Sequence, residues 1–210
     1  MNKNICIILL LLVSGLSQAQ RNESKAIHAS FESYRAAVLT DNGEEAIKYV
    51  DSKTLQYYND LLIKIKSADS SSITSLPFLD KFMVLAIRHK ASAVELNSFD
   101  GSAILIYAIN NGLVGKNSIE NNSIGEIEIL GEKAIGEFIS NGQKSDAFLN
   151  FYRENDIWKI DLTSLFNFTN NSLEKIVKSS GNTEIEFVIK LVETLTNSEV
   201  KPEVWKPLLK

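Results

Sequence analysis

Apolar positions along the chain pass through three regimes: helical spacing at the front, strict alternation in the middle, and helical spacing again in the tail. At the front, Ile27, Phe31, Tyr34 and Val38 form one stripe of a helix expected from Ser24 to about Thr40. Asp41 before Glu44 is an N-cap pattern and predicts a short helix reaching about Val50. Asp51 or Ser52 then caps a helix whose stripe is Leu55, Tyr58, Leu61, Leu62 and Ile65. The Ser-rich stretch 67–75 reads as a loop. Pro77 suits the first turn of a helix running to about Lys90. Phe78, Leu79, Phe82, Met83, Leu85, Ala86 and Ile87 leave that helix almost no polar side, so burial on more than one face is expected. A further helix is predicted from Ser102 to Asn111, ended by Gly112. A strand is its rival, because Ile104, Ile106, Tyr107 and Ile109 are strand formers.

The period then changes. Glu126-Ile127-Glu128-Ile129 alternates as a half-buried strand does, and Gly131-Glu132-Lys133 turns the chain. Ala134 to Ser140 is a second strand, Asn141-Gly142 a hairpin signal, and Asp146 to Arg153 a third strand. After the turn Glu154-Asn155-Asp156, Ile157 to Thr163 is a fourth. It places Trp158, Ile160 and Leu162 on one face and Lys159 and Asp161 on the other, toward water. Such short connections force an antiparallel meander. In the tail, Leu173, Ile176 and Val177 share one helical face. Ile185, Val188, Ile189, Val192 and Leu195 share another, and Pro202 and Pro207 bracket Trp205.

Upstream of all this, Lys3 precedes the unbroken apolar run Ile5 to Val13, and Ser17 and Ala19 are small residues at the −3 and −1 positions of a cut after Ala19. This is the three-part secretory signal pattern, and the run is shorter than the ~20 residues of a membrane-spanning helix. Periplasmic or extracellular localisation after cleavage near Ala19 is expected, with no integral membrane segment left. The chain divides into a signal at 1–19, helices plus antiparallel sheet over 20–165, and a C-terminal helical extension over 166–210. Its only Cys, Cys6, lies within the apolar run, which argues against lipidation and leaves a cysteine-free mature chain. Richness in Asn, Ile and Lys suggests a bacterial source with an AT-rich genome. The sequon-like triplets at Asn22, Asn121, Asn167 and Asn170 are then chance.

Helices followed by a meander make an α+β order. Within it, Phe151-Tyr152-Arg153-Glu154-Asn155-Asp156-Ile157-Trp158-Lys159-Ile160-Asp161-Leu162 is an aromatic strand, a charged turn and a Trp-Lys-Ile strand. In this the chain resembles the nuclear-transport-factor-2-like superfamily, which includes ketosteroid isomerase. The resemblance covers residues 24 to 165. It implies a cone-like fold with a pocket between a curved sheet and a long N-terminal helix. The helical region before the meander is longer than that fold needs, and the tail is extra. The superfamily holds isomerases, dehydratases and many non-catalytic binding domains, so the fold implies no single activity.

The formal net charge of −4, with no basic stripe, argues against a nucleic-acid partner. With 2 His and 1 Cys at no ligand spacing, no metal site is expected, and His28 reads as a boundary residue. No Gly-x-Ser-x-Gly occurs, and Gly112 to Ser118 lacks the phosphate-loop spacing, so no cofactor is expected. The candidate pocket residues are Tyr34, Tyr58, Arg88, His89 and Trp158. Arg88-His89-Lys90 reads as an anion site or, at His89, a general acid, or else as charge at a helix C-terminus where the dipole favours cations. Two functions fit. One is an exported, non-catalytic binding domain for a small apolar ligand or a protein partner. The other is an isomerase or dehydratase using Tyr34 and a pocket carboxylate, with Asp161 and Asp100 nearest to plausible pocket walls.

Overall fold

The stripe of Ile27, Phe31, Tyr34 and Val38 lies buried on α1 (Lys3–Leu39), which crosses a four-stranded antiparallel sheet, touching β4 (Ile157–Asp161) and β1 (Asn122–Leu130). A computed structural model describes residues 3–114 and 116–208, with side chains from residue 20 onward except 117 and 118. The signal-peptide reading of residues 1–19 falls on side chains outside that description. Among the described residues, no helix is long and apolar enough to cross a membrane.

The sheet has the order β1-β2-β3-β4, with β2 at Lys133–Ser140 and β3 at Gln143–Glu154. Alternation puts Ile124, Ala134, Phe138, Leu149, Phe151, Trp158 and Ile160 on the face that meets α1. The fold class is therefore α+β, as the change of period predicts. Gly136 sits where an added Cβ would come within 2.6 Å of Ile124, so only glycine lets β1 and β2 close there.

The helical layer forms beside the sheet. Asn42 rather than Asp41 caps α2 (Gly43–Ala46); Asp41 itself turns the chain at a positive φ of 53°. Asp51 caps α3 (Ser52–Ser67), as expected. The predicted loop at 67–75 contains a helical turn, α4 (Ser70–Thr74), because the Asp69 carboxylate accepts the Ser72 N–H at 2.8 Å. Helix α5 (Phe78–Lys90) starts just after Pro77 and is buried almost all round. A capping box of Ser92 and Glu95 starts α6 (Ala93–Ser98). Helix, not strand, forms at α7 (Gly101–Asn110), where Gly101 lies so close to α3 that a Cβ would meet the Leu55 carbonyl at 2.4 Å. The short α8 (Asn117–Glu120) follows, and the Arg35 guanidinium holds it by donating to the Ile119 and Glu120 carbonyls at 3.2 and 2.6 Å.

Strand β4 ends at Asp161, so Leu162 is not a strand residue but opens a single 3₁₀ turn into α9 (Phe166–Ser180) and then α10 (Glu184–Thr196). The tail joins the same core. Val177, Val188, Val192 and Val204 are buried, and α10 packs on α5. Ile176 is instead 49 % exposed, at the margin of its predicted stripe. Two charges of α5 are tied to this tail: buried Lys81 to Glu184, and buried Arg88 to the turn Pro202–Trp205.

Arg88 donates to the carbonyls of Lys64, Ile65, Ala68 and Val204 at 3.2, 2.6, 2.7 and 2.9 Å. It thereby caps the end of α3 and fastens the C-terminal turn. Burial lowers its guanidinium to about 10, well above neutrality, so the charge persists. Arg88→Met keeps the stem but strands these carbonyls. Leaving buried acceptors dry costs about 1–3 kcal/mol each; the Lys64 carbonyl still accepts the Ala68 N–H, and at the low end of that range the other three total about 3 kcal/mol. At about 2–4 °C per kcal/mol for a chain of this size, calorimetry should show Tm falling by roughly 6–12 °C.

Candidate functional site

Strand β3 is longer than its neighbour. β4 pairs only with Asn150 to Glu154, leaving the preceding half of β3 without a strand on that side. Where β4 stops, the Ser164 hydroxyl replaces it: it donates to the Asp161 carbonyl at 2.6 Å and accepts the Asn150 N–H at 3.1 Å. The chain then swings away into α9, and a cleft of about 530 Å³ opens between α9 and β3. Its β3 side is Asp146, Ala147, Phe148 and Asn150; its α9 side includes Asn167, Asn171, Ser172 and Lys175. Four-residue spacing brings Asn167, Asn171 and Lys175 onto one helical stripe. Among the described residues, the side-chain amides of Asn150, Asn167 and Asn171 have no hydrogen-bond partner. Phe148 is 49 % exposed at the cleft, and Phe168 packs edge-on against Phe138 at 6.4 Å. Asn170, by contrast, accepts the Leu79 N–H at 3.0 Å and belongs to the start of α5.

A second, smaller cleft of about 390 Å³ is lined by Asp51, Ser52, Lys53, Glu132, Tyr152, Arg153 and Glu154. Two of its three acids are already engaged, Glu132 being exposed. Asp51 accepts the Thr54 N–H at 2.9 Å. Glu154 accepts from the Ser52 N–H and hydroxyl at 3.0 and 2.7 Å. Although burial alone would raise it, these bonds and Lys159 hold the Glu154 carboxyl below its ordinary value. Asp161 does not face water as the alternation suggests; it is 0 % exposed. The reason is tertiary: Val50 bridges Ile160 in parallel and the Asp51 N–H bonds the Ile160 carbonyl at 3.0 Å. That lays the start of α3 over the outer face of β4. There Lys53 meets Asp161 at 2.8 Å and Thr163 donates to it. Burial, and then the neighbouring Asp161 and Glu154, raise the Asp51 carboxyl above its ordinary value against the opposing Thr54 bonds.

The predicted pocket residues do not come together as one site. Tyr34 and Tyr58 are neighbours in the core, where burial pushes both phenols up, and neither lines either cleft. Arg88 is the helix fastener described above. His89 bonds the Ser198 hydroxyl at 2.7 Å on the surface. Trp158 donates to Glu23 at 2.5 Å, and Arg153 meets the same carboxylate at 3.0 Å. Asp100 caps α7 through the Ala103 N–H at 2.8 Å. A bonded tyrosine–carboxylate pair does exist, one the sequence reading passes over: Tyr57 donates to Asp80, whose other oxygen takes Lys64 at 2.7 Å. Neither Tyr57 nor Asp80 lines either cleft.

No family model, no curated protein and no solved structure matches the chain. The candidate site therefore stands on its own geometry. Sequence reasoning missed the asparagines of α9, although their spacing was a usable signal. It could not see that β3 outruns β4.

The Asp51 pair yields a test with a definite sign. A carboxyl raised by folding costs stability above its folded pKa, and that cost disappears as pH falls through it. Asn caps as well as Asp and carries no charge. Asp51→Asn should therefore raise Tm at pH 7 and converge with the parent in acid. Asp51→Ala loses the cap as well and should lie about 1 kcal/mol below Asp51→Asn at both. Thermal melts across pH 3 to 8 separate the two.

Proposed function

We propose that the chain is an exported, non-catalytic binding domain whose ligand site is the cleft between β3 and α9. What carries this reading is a contrast between two sets of polar side chains. Most of the carboxylates that acid–base chemistry would use are spent inside the fold: Asp51 and Asp100 on caps, Asp161 on Lys53 and Thr163, Asp80 on Tyr57 and Lys64. The amides of Asn150, Asn167 and Asn171 are unspent and stand around one concave surface. A few convergent polar groups in a concave site favour a ligand that brings its own hydrogen-bonding groups. The lining thus moves the expected ligand from an apolar molecule to a polar one. The isomerase or dehydratase alternative needs a carboxylate beside a tyrosine within a pocket. Tyr57–Asp80 supplies the pair away from both clefts, with Lys64 closing the acid; the smaller cleft does hold Tyr152 beside Asp51, Glu132 and Glu154, but among the described residues no hydrogen bond joins that phenol to an acid.

Export is supported by Lys3, the run Ile5 to Val13 and the small residues Ser17 and Ala19. The contacts of Glu23 with Trp158 and Arg153 lie beyond a cut after Ala19. The periplasm or the extracellular space is the destination. Kinship with the nuclear-transport-factor-2-like superfamily belongs to the same proposal, on the strength of the Phe151–Leu162 segment and a helix lying across an antiparallel meander.

Two measurements test this. N-terminal sequencing of the protein secreted by a bacterial host should begin at Gln20; an intact Met1 overturns export. A screen of small polar and apolar fragments against ¹⁵N-labelled protein should shift the amides of Phe148, Asn150, Asn167 and Asn171. Shifts confined to the Asp51–Glu154 cleft or to the Tyr34–Tyr58 core overturn the site.

A further inference from the structure

Resting on that reading of the β3–α9 cleft, we infer that its ligand is an extended polypeptide segment, bound as a short strand that continues the line of β4 beside β3. The first ground is the backbone. The Asn150 N–H points toward β4, where it meets Ser164. By the two-residue period of a strand, Phe148 presents its N–H and C=O on the same side. No strand pairs with Phe148 there, since the β3–β4 ladder begins at Asn150. The cleft is therefore floored by strand edge, the surface that takes an added strand in β-augmentation.

The second ground is the opposite wall. Residues four apart on a helix are separated by about 6 Å of rise. Residues two apart on an extended chain are separated by about 6.6 Å. The rise from Asn167 to Asn171, both lining the cleft on α9, therefore matches the spacing of successive outward-facing peptide groups of an extended chain held in it. A carboxamide both donates and accepts, so each can meet one N–H and one C=O of a peptide backbone. From Asn167 to Lys175 the stripe covers about 12 Å, room for about four extended residues.

Charge agrees. Lys175 and Asp146 bring one charge of each sign to the lining, so nothing selects a phosphate or other strong anion. The half-exposed Phe148 offers apolar contact to one peptide side chain. Recognition of this kind reads backbone more than sequence, and the partner is an unstructured, near-neutral stretch of protein. A saccharide is the competing polar ligand, but it makes no use of the free strand edge at Phe148.

The experiment is a selection of a phage-displayed random dodecapeptide library on the full-length chain, beside an array of neutral oligosaccharides. The same probes are applied to Asn167→Leu and Asn171→Leu, exposed positions whose replacement leaves the core untouched. Enriched peptides should bind the parent and lose about tenfold in affinity with either variant, the loss of one or two amide hydrogen bonds. N-methylation of alternate backbone amides should abolish binding, while side-chain changes in the peptide should matter less. Unchanged thermal melts of the two variants confirm that a loss is local. Peptides that bind both variants like the parent, or that tolerate N-methylation, overturn the inference. So does saccharide binding lost in the variants with no peptide enriched, although it leaves the cleft as the ligand site. Fragment shifts away from the cleft sink the site itself, independently of either library.

Discussion

Helix α5 has no side to give to water, and most of the architecture answers that constraint. Phe78, Phe82, Val84, Leu85, Ala86 and Ile87 are all buried, so α3, α9 and α10 have to surround the helix. The two buried cations of α5 then decide how. Lys81 is paired with Glu184 at the start of α10, and Arg88 is filled by carbonyls from the end of α3 and from Val204. A buried charge without its partner is far costlier than the pair is favourable, so each cation enforces one arrangement of the tail. The segment that looks like an appendage along the chain is one wall of the core.

The cleft follows from a second constraint, a mismatch of strand lengths. Strand β4 stops at Asp161, where the chain leaves through a 3₁₀ turn, while Val50 and Asp51 lie along its other edge. Ser164 satisfies the next backbone donor, and beyond it β3 runs on with α9 standing off. The same seam buries Asp161 and brings Asp51 near it. The same region of the fold thus holds both the neighbouring acids Asp51 and Asp161 and the open strand edge.

Much of the secondary structure was legible because it depends on local periods and caps. The α1 and α3 stripes, the Asp51 and Asp100 caps, the Asn141-Gly142 hairpin and the four strands all follow from side-chain spacing within a few residues. Where local pattern and structure differ, the differences are small: Asn42 caps in place of Asp41, a turn of helix sits in the serines after Asp69, and β4 stops at Asp161 rather than Thr163. The candidate site fared differently. Tyr34, Tyr58, Arg88, His89 and Trp158 were chosen for residue type, and the fold scatters them among core, helix end, surface and sheet.

The amino-acid sequence by itself determined the α+β class, the order of elements and which faces had to be buried, because those rest on periodicity and on the free energy of burying apolar surface. Tertiary structure alone decided which polar groups were consumed and which were left over. Asp161 reads as a solvent-facing strand residue until α3 covers it. Asn167 and Asn171 read as ordinary polar helix positions until β4 stops short of them. Hydrogen-bond satisfaction is a property of neighbours distant along the chain, and no local pattern encodes it.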